Sequence, residues 1–513
     1  MTDKIVDNPA HSSTKENEVE KVSLKHESQD EGYHHFEQVF DTIKQYGKYQ
    51  MFTFLLAQYI MLCSAGNYIF ISFAALKPQC LIREVNTITD VCQRINSCPV
   101  NDTVTVFHSL YAEDFVCPHS YLPNNLQTLQ AVGSGVGALL GGHFADAFGR
   151  KWITYAGALL MCSFGFIGGL SPNFIVLAIC MIGVGLSYGV LIDSLMTLAA
   201  ETVGPKYRIV QTLAFQWTIA MQLAALIAWL SQHWRYYLLI VNGVCAPILL
   251  LMLFWVESPR WLIQRRRFQE ACNSLNTIGN WNGAKKKFGV DDLIKMQIKV
   301  EPRSQMYSIK DLFINKKLFQ YSIVMILSAL TVELCVGCWL EIPFLNVALY
   351  GALRLWTPFF VIYADTQTIG RRWLFIASQT FSIVCYSIVI ASNLFPVSLA
   401  SNIIRSVFAL FGGVVNSSIF FTVYKQYTIE LYPTLMRAIA VGAFGVVERV
   451  GGAMAPQLIN MNSWAWSGSA LSITTLIMCL SLIAGCAILP ETKDADMPDI
   501  QEEAVNRKKS GTI

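Results

Sequence analysis

Charge is scarce in this chain. Only 14% of its 513 residues are Asp, Glu, Lys or Arg, while 53% are hydrophobic; soluble domains run near about 25% charged. The shortage excludes an ordinary soluble globule. The net charge of +3 is too small to point to a nucleic-acid partner. No G-x-x-x-x-G-K-[ST] loop occurs, which argues against direct drive by ATP, and no cofactor is implied. No histidine cluster or acid pair stands at metal-ligand spacing. His143 and His233 are isolated at the ends of apolar runs, so neither a metal site nor a membrane-embedded enzyme is expected. Residues 1–50 are polar and of mixed charge, without a basic-then-apolar pattern, and no cleaved signal peptide is expected.

Long apolar runs are abundant instead. Crossing the hydrocarbon of a lipid bilayer takes about 20 apolar residues. Twelve such runs are present, at 51–76, 126–145, 152–170, 172–198, 209–230, 236–256, 319–340, 342–363, 373–393, 396–424, 438–458 and 464–489. Pro247, Pro358 and Pro456 fall inside some of them, which neighbouring helices can accommodate. The expectation is an all-α membrane protein of twelve transmembrane helices. Its parts are a cytoplasmic segment 1–50, a six-helix half 51–256, a cytoplasmic linker 257–318, a second half 319–489 and a tail 490–513. Lys and Arg crowd 257–317 and mark the short links at Arg150-Lys151, Lys206–Arg208, Arg371-Arg372 and Arg437. By the positive-inside rule these links and both termini face the cytoplasm, and the plasma membrane is the expected location. The linker should form short helices on the membrane face. Tyr33, Phe36, Phe40 and Ile43 give 33–46 the stripe of another surface helix.

The long link 77–125 then lies outside. It holds Cys80, Cys92, Cys98 and Cys117 and the sequon Asn101-Asp102-Thr103. Four cysteines allow three pairings, and the sequence does not choose among them; together with the sequon they indicate an oxidising compartment. Cys335 and Cys338, one helical turn apart in an apolar run, read as small residues at a helix contact.

Three features recur in order. GRKW (149–152) follows the second run and GRRW (370–373) the eighth. Glu201 and Arg208 bracket Pro205 as Glu430 and Arg437 bracket Pro433. ESPRWL (257–262) closes the sixth run and LPETK (489–493) the twelfth. The offset is about 220–235 residues each time, the mark of two homologous six-helix halves.

GHFADAFGRK (142–151) fits the G-x-x-x-D-x-x-G-R-[KR] signature of the major facilitator superfamily. The long Cys-bearing loop, AETVGPKYR (200–208), HWR (233–235), ESPRWL, YTIELYPTLMR (427–437), RVGGAMAP (449–456) and FEQVF…GKYQ (36–50) resemble the organic cation/anion/carnitine transporter family. The resemblance runs from about residue 33 to 493. It implies two pseudo-symmetric bundles and secondary or facilitative transport of a small organic ion by alternating access. Sugar porters share ESPR and PET-like ends, but their Gln-rich seventh span is not matched by LTVELCVGCW (330–339). The second-half copy also departs from the signature, with Gln367 where an Asp is expected and Asp365 two residues earlier.

Two sets of residues follow. Asp146, Arg150, Lys151, Glu201, Arg208, Glu430, Arg437 and Arg371 stand at helix ends, where ion pairs can latch one state of a rocking bundle. Charges inside the runs are costly and mark a cavity or a partner: Glu333, Arg354, Glu448 and Arg449, with Asp193 in the fourth run. Glu448 and Arg449 point about 100° apart on a helix, so one should meet substrate while the other pairs with Arg354 or Glu333. Tyr188, Trp217, Trp339, Trp356 and Tyr424 are candidate cavity aromatics, and Gln216 and Asn416 candidate hydrogen-bonding groups. Asp193, Glu333 and Glu448 are candidates for coupling to an ion or proton. In the family resembled, the place of Arg449 is acidic in the cation branch and Arg in the anion and carnitine branches. An arginine fork matches a carboxylate, so the expected substrate is an organic anion or zwitterion. The alternatives are an organic cation transporter of the same family and a receptor-like relative that transports nothing.

Overall fold

The structure, a computed structural model, describes residues 39–80, 91–98, 103–104, 107–111, 116–117, 119, 121–204, 217–285, 287–298, 310–337, 344–366, 370–393, 399–432, 434–466 and 468–492. Trp339, Arg208, Gln216, Asn101, Gln367, Cys338, Tyr33 and Phe36 lie outside them. So do the side chains of Asp146, Arg437, Asp365, Cys80 and Cys335.

Each of the twelve apolar runs holds a helix. They are α1 Lys48–Tyr68, continued by Phe70–Ala74; α2 Leu122–Phe148; α3 Arg150–Gly169; α4 Phe174–Glu201; α5 Trp217–Ser231; and α6 Trp234–Cys245, continued to Phe254. The second set is α7 Lys316–Gly337; α8 Phe344–Thr366; α9 Arg371–Ser392; α10 Leu399–Val414, continued through a π turn Val415–Phe420 and Phe421–Leu431; α11 Thr434–Trp464; and α12 Ser469–Ile488. Among the described residues, eight are long and apolar enough by composition alone to cross a membrane: α1, α3, α4, α6, α7, α9, α10 and α12. The described part of α5 is apolar but short. The helices α2, α8 and α11 carry the polar residues that meet other helices: Asn124, Asn125 and Thr128, then Tyr350 and Arg354, then Glu448, Arg449, Gln457 and Asn460.

Packing divides the chain into two compact units, and both six-helix halves fall largely in one of them. The smaller unit gathers Met1–Met51, Glu201–Arg208 and Val256–Arg303. Its centre is Asn282, at the end of helix Phe268–Asn282 before Gly283, which takes the left-handed φ of 71°. The Asn282 Oδ1 accepts from Tyr49 N at 3.0 Å, and its Nδ2 donates to Ile43 O at 3.1 Å and Gln50 Oε1 at 2.9 Å. Gln50 in turn donates to Thr202 O at 3.1 Å, and Val256 N to the Tyr49 hydroxyl at 2.9 Å. The Asn282 amide thus holds the 43–50 segment, which through Gln50 and Tyr49 reaches Thr202 and Val256. Helix Val39–Ile43 also differs from the expected membrane-surface helix. Phe40 and Ile43 are fully buried, because the stripe is spent inside the unit, against neighbours such as Gly279. Ser258 of ESPRWL caps the helix Pro259–Gln264, accepting from Trp261 N at 3.2 Å, while Trp261 and Leu262 are buried.

In the larger unit, α2 and α4 pack through glycines. A Cβ on Gly133, Gly137 or Gly141 would meet the α4 backbone, and one on Gly185 or Gly189 would meet that of α2, so the helices approach as small-residue pairs do. Gly142 faces open space. Asn67 of α1 and Asn242 of α6 exchange amide hydrogen bonds of 2.9 and 3.0 Å beside Gly165 of α3, where a Cβ would strike both amides.

The described residues of loop 77–125 pack on the helices. Gln79–Cys80 pairs antiparallel with Thr103–Val104, and helix Val91–Ser97 is tied by a Cys92–Cys117 disulfide. Phe107, Leu110, Tyr111 and Val116 join one core with Phe70, Phe73, Trp234 and Tyr237. His108 stacks on His233, ring centroids 4.7 Å apart, and their strands exchange His108 N–Gln232 O and Trp234 N–His108 O bonds. The HWR stretch begins α6: His233 Nδ1 accepts from Arg235 N, and Arg235 Nη1 reaches Ser171 O at 2.6 Å.

Candidate functional site

The two halves touch through α2 with α11 and α5 with α8. At the end near loop 77–125, Gln457 Nε2 donates to Asn125 Oδ1 at 3.1 Å and Thr128 Oγ1 at 2.8 Å. Thr128 donates to Ala453 O at 3.2 Å, and Asn124 to Asn460. Pro456 interrupts α11 beside these contacts. Deeper in, Gly135 of α2 faces the Arg449 Cβ, and towards the GRKW end Gly142, Gly442 and Gly445 face nothing. The halves are thus joined at the loop end.

Around Gly135 and Arg449 the central charges gather. The Arg449 guanidinium lies over the Tyr188 ring, 5.2 Å from its centre. Tyr188, Tyr68 and Trp217 form an aromatic triad with centroids 4.6 to 5.8 Å apart. Gly451 and Gly452 pass so near Glu333 that a Cβ on either would touch its side chain. Glu333 lies in the field of Glu448, Arg449, Lys425 and Arg354, and Asp193 in that of Arg449, Lys425 and Glu448.

The π turn of α10 aims Ser417 at α8. Its carbonyl accepts from Arg354 Nη2 at 3.1 Å, and its hydroxyl meets the Tyr350 hydroxyl. Tyr350 and Arg354 are one turn apart on the same helix face, and a wide turn often marks a functional site.

Several expectations need correction. Glu448 pairs with neither Arg354 nor Glu333 but with Lys425, Nζ to Oε1 at 2.6 Å. The tenth apolar run ends at residue 424, one short of Lys425, so hydropathy leaves this charge outside the runs. Asn416 is fully buried and donates to Thr331 O at 3.3 Å; its amide belongs to the interior of the second half. Trp356 is 71% exposed, beside exposed Leu355, Phe359 and Phe360, and forms no part of the site. Tyr68 also joins the site, though nothing in the first run sets it apart from packing aromatics.

The second charge cluster forms at the start of α9. Arg371 ion-pairs with Glu430 of α10. The Glu491 carboxylate accepts from Arg371 N at 2.9 Å and Arg372 N at 3.1 Å, so a residue of LPETK caps the helix that GRRW opens. A Cβ at Gly370 would collide with that carboxylate, which is why the motif needs glycine there. Arg372 Nη2 reaches Cys486 O at 2.6 Å. The sequence shows the recurrence of LPETK but not the capping role of Glu491. In the first half Arg150 is buried and Lys151 Nζ donates to Leu253 O at 3.1 Å. In the smaller unit, the Ser258 hydroxyl donates to Glu201.

The comparisons agree with this architecture. Residues 108–340 match the profile of the family described as Sugar (and other) transporter. Among solved structures, the inward-open xylose transporter XylE from E. coli superposes with a TM-score of 0.64 at 16% identity, over 88% of this chain and 98% of that one. The chain thus has the fold of a major facilitator superfamily transporter, and its residues 108–340 carry the transporter profile. Its curated relatives include solute carrier family 22 member 1 of Bos taurus, 27% identical over 80% of this chain and 71% of the relative. Another is solute carrier family 22 member 7 of Bos taurus, at 29% over 77% and 72%. An uncharacterized Caenorhabditis elegans protein, F23F12.3, is 24% identical over 82% and 85%. Over most of its length the chain is thus similar to members of solute carrier family 22, in keeping with the motifs that resemble the organic cation/anion/carnitine transporters.

Proposed function

We propose that the protein carries organic anions or zwitterions in preference to cations, by alternating access around the charge cluster that Arg449 anchors. The observation that carries this reading is the Arg449 guanidinium on the Tyr188 ring. The cation is held by an aromatic face, while the ion pair of the cluster is made by its neighbour Glu448 with Lys425. Among the described residues no ion pair closes on its fork, which matches a carboxylate, and Tyr188, Tyr68 and Trp217 offer an aromatic wall beside it. Arg449→Asp should reverse the preference between labelled anions and cations in vesicle uptake; an unchanged ratio would remove the argument.

The joined loop ends correspond to the state open towards the GRKW end, and exchange of closure between the two ends moves the solute. Asp146, Arg150, Lys151, Glu201, Arg208, Arg371, Glu430 and Arg437 act in latching that exchange. The GRKW end and both termini face the cytoplasm at the plasma membrane, as the basic links require. Loop 77–125 faces outwards, in keeping with its Cys92–Cys117 disulfide, and carries a glycan on Asn101. Asn101→Gln should abolish a glycosidase-sensitive shift in mobility. Where transport is coupled to an ion or proton, Asp193 and Glu333 are the carboxylates placed to take part. Uptake with and without an imposed pH gradient tests this.

A further inference from the structure

Lys425 and Glu448 stand out in the cluster because each is the other's partner within a membrane-crossing helix. Such charges normally answer to a partner or a cavity, and here both answers hold. The pair is close, 2.6 Å, yet the Lys425 side chain keeps 29% of its surface exposed and that of Glu448 11%. It is paired but not sealed. The Lys425 ammonium also lies 5.4 Å from the Phe421 ring centre and 5.5 Å from that of Tyr424. Those faces would continue to stabilise the cation if the carboxylate swung away. Glu448 is adjacent in sequence to Arg449, so its release would occur beside the guanidinium that faces substrate.

Charge balance narrows the consequence. Around the pair stand Glu333, in the field of Glu448, Arg449, Lys425 and Arg354, and Asp193, in that of Arg449, Lys425 and Glu448. The pair itself is balanced, one charge of each sign. A solute of net charge entering this cluster leaves an uncompensated ion in a poorly solvated place, which is costly. A solute with one group of each sign leaves the balance as it was.

We propose that the Lys425–Glu448 ion pair is the specificity switch of this transporter, an internal stand-in for substrate. A zwitterion splits it, setting its anionic group between Lys425 and the Arg449 fork and its cationic group on Glu448. One ion pair is exchanged for two, and no charge is stranded. A simple anion that takes Lys425 leaves Glu448 unpaired, and a simple cation that takes Glu448 leaves Lys425 unpaired. The inference rests on the preceding reading of the cluster as the substrate site and adds to it the element that discriminates among organic ions.

The test uses the full chain in proteoliposomes with three radiolabelled tracers: betaine as zwitterion, benzoate as anion and tetraethylammonium as cation. The wild type is expected to favour betaine. Glu448→Gln should raise the benzoate-to-tetraethylammonium uptake ratio roughly tenfold and Lys425→Gln should lower it by a similar factor, as expected for unmasking one member of a close charge pair. The reversed pair, Lys425→Glu with Glu448→Lys, should keep betaine uptake within about threefold of wild type while either reversal alone loses it. Because a single change can strand a buried charge and unfold the chain, Lys425→Met with Glu448→Leu serves as a second variant. It removes both charges at similar volume and should fold but no longer favour betaine. Equal changes for all three tracers, or a reversed pair as poor as the single reversals, would overturn the switch while leaving the transporter reading intact. A wild type that moves none of the three overturns both.

Discussion

Arg449 of α11 and Tyr188 of α4 meet guanidinium to ring, 5.2 Å apart, and so join the two halves of the chain at the level of the central charges. Removing the ring should weaken substrate binding through the loss of Arg449's support. Tyr188→Leu should raise the KM for an anionic tracer about three- to thirtyfold, from a cation–π contribution of about 0.5–2 kcal/mol. Tyr188→Phe, which keeps the face, should stay within about twofold. Equal effects of the two substitutions would show that the hydroxyl, not the ring, matters.

Arg371 and Glu430 form a pair in which Glu430 is almost wholly buried. Deleting one partner of such a pair costs about 3–5 kcal/mol when the other charge stays behind. Arg371→Ala should lower thermal stability clearly, and Arg371→Ala with Glu430→Ala should recover part of it. For the latch, Asp146→Ala should cut uptake while surface abundance, read by biotinylation, is largely kept; normal uptake at normal abundance rejects that role.

Glu491 caps α9 through two backbone N–H groups. Glu491→Gln keeps one carbonyl acceptor and loses the charge facing the helix dipole. The expected loss is about 1–2 kcal/mol, seen as a lower melting temperature in detergent. An unchanged melting curve would mean that solvent replaces the cap at no cost.

Gly165 faces the reciprocal amides of Asn67 and Asn242. Gly165→Ala should force them apart, at a cost of about 1–3 kcal/mol from overpacking and more if a buried amide loses its partner. Asn67→Ala in the same background makes room, and some stability should return. Additive losses would place the strain elsewhere.

Gln457 bridges Asn125 and Thr128 at the loop end. Gln457→Ala removes neutral hydrogen bonds worth about 0.5–1.5 kcal/mol each and should shift the population towards opening there. A cysteine placed at Gly135, in a background free of other reactive thiols, should then react several-fold faster with an impermeant reagent applied from that side. An unaltered rate would assign the closure to other contacts.

Much of the architecture could be read from the chain itself. Twelve apolar runs, each of membrane length, allow little besides twelve helices, because backbone groups in hydrocarbon must bond within their own segment. The in-register return of GRKW, Glu201 and ESPRWL as GRRW, Glu430 and LPETK indicated two related halves. Arg354, Glu333, Glu448 and Arg449 could be singled out because a charge inside such a run demands a reason.

Which charge meets which was decided only by tertiary structure. Lys425 sits at the margin of a run, where a basic residue is ordinary, and only the packing of α10 on α11 makes it the partner of Glu448. Phe40 and Ile43 carry a stripe that fits a membrane surface as well as a protein core, and only the Asn282 hub shows that they are buried. Glu491 becomes a cap because α9 begins beside it. Periodicity and hydropathy report how each segment meets its solvent, lipid or water. Pairing depends on the distance and direction between segments far apart in sequence, and these exist only once the helices have packed.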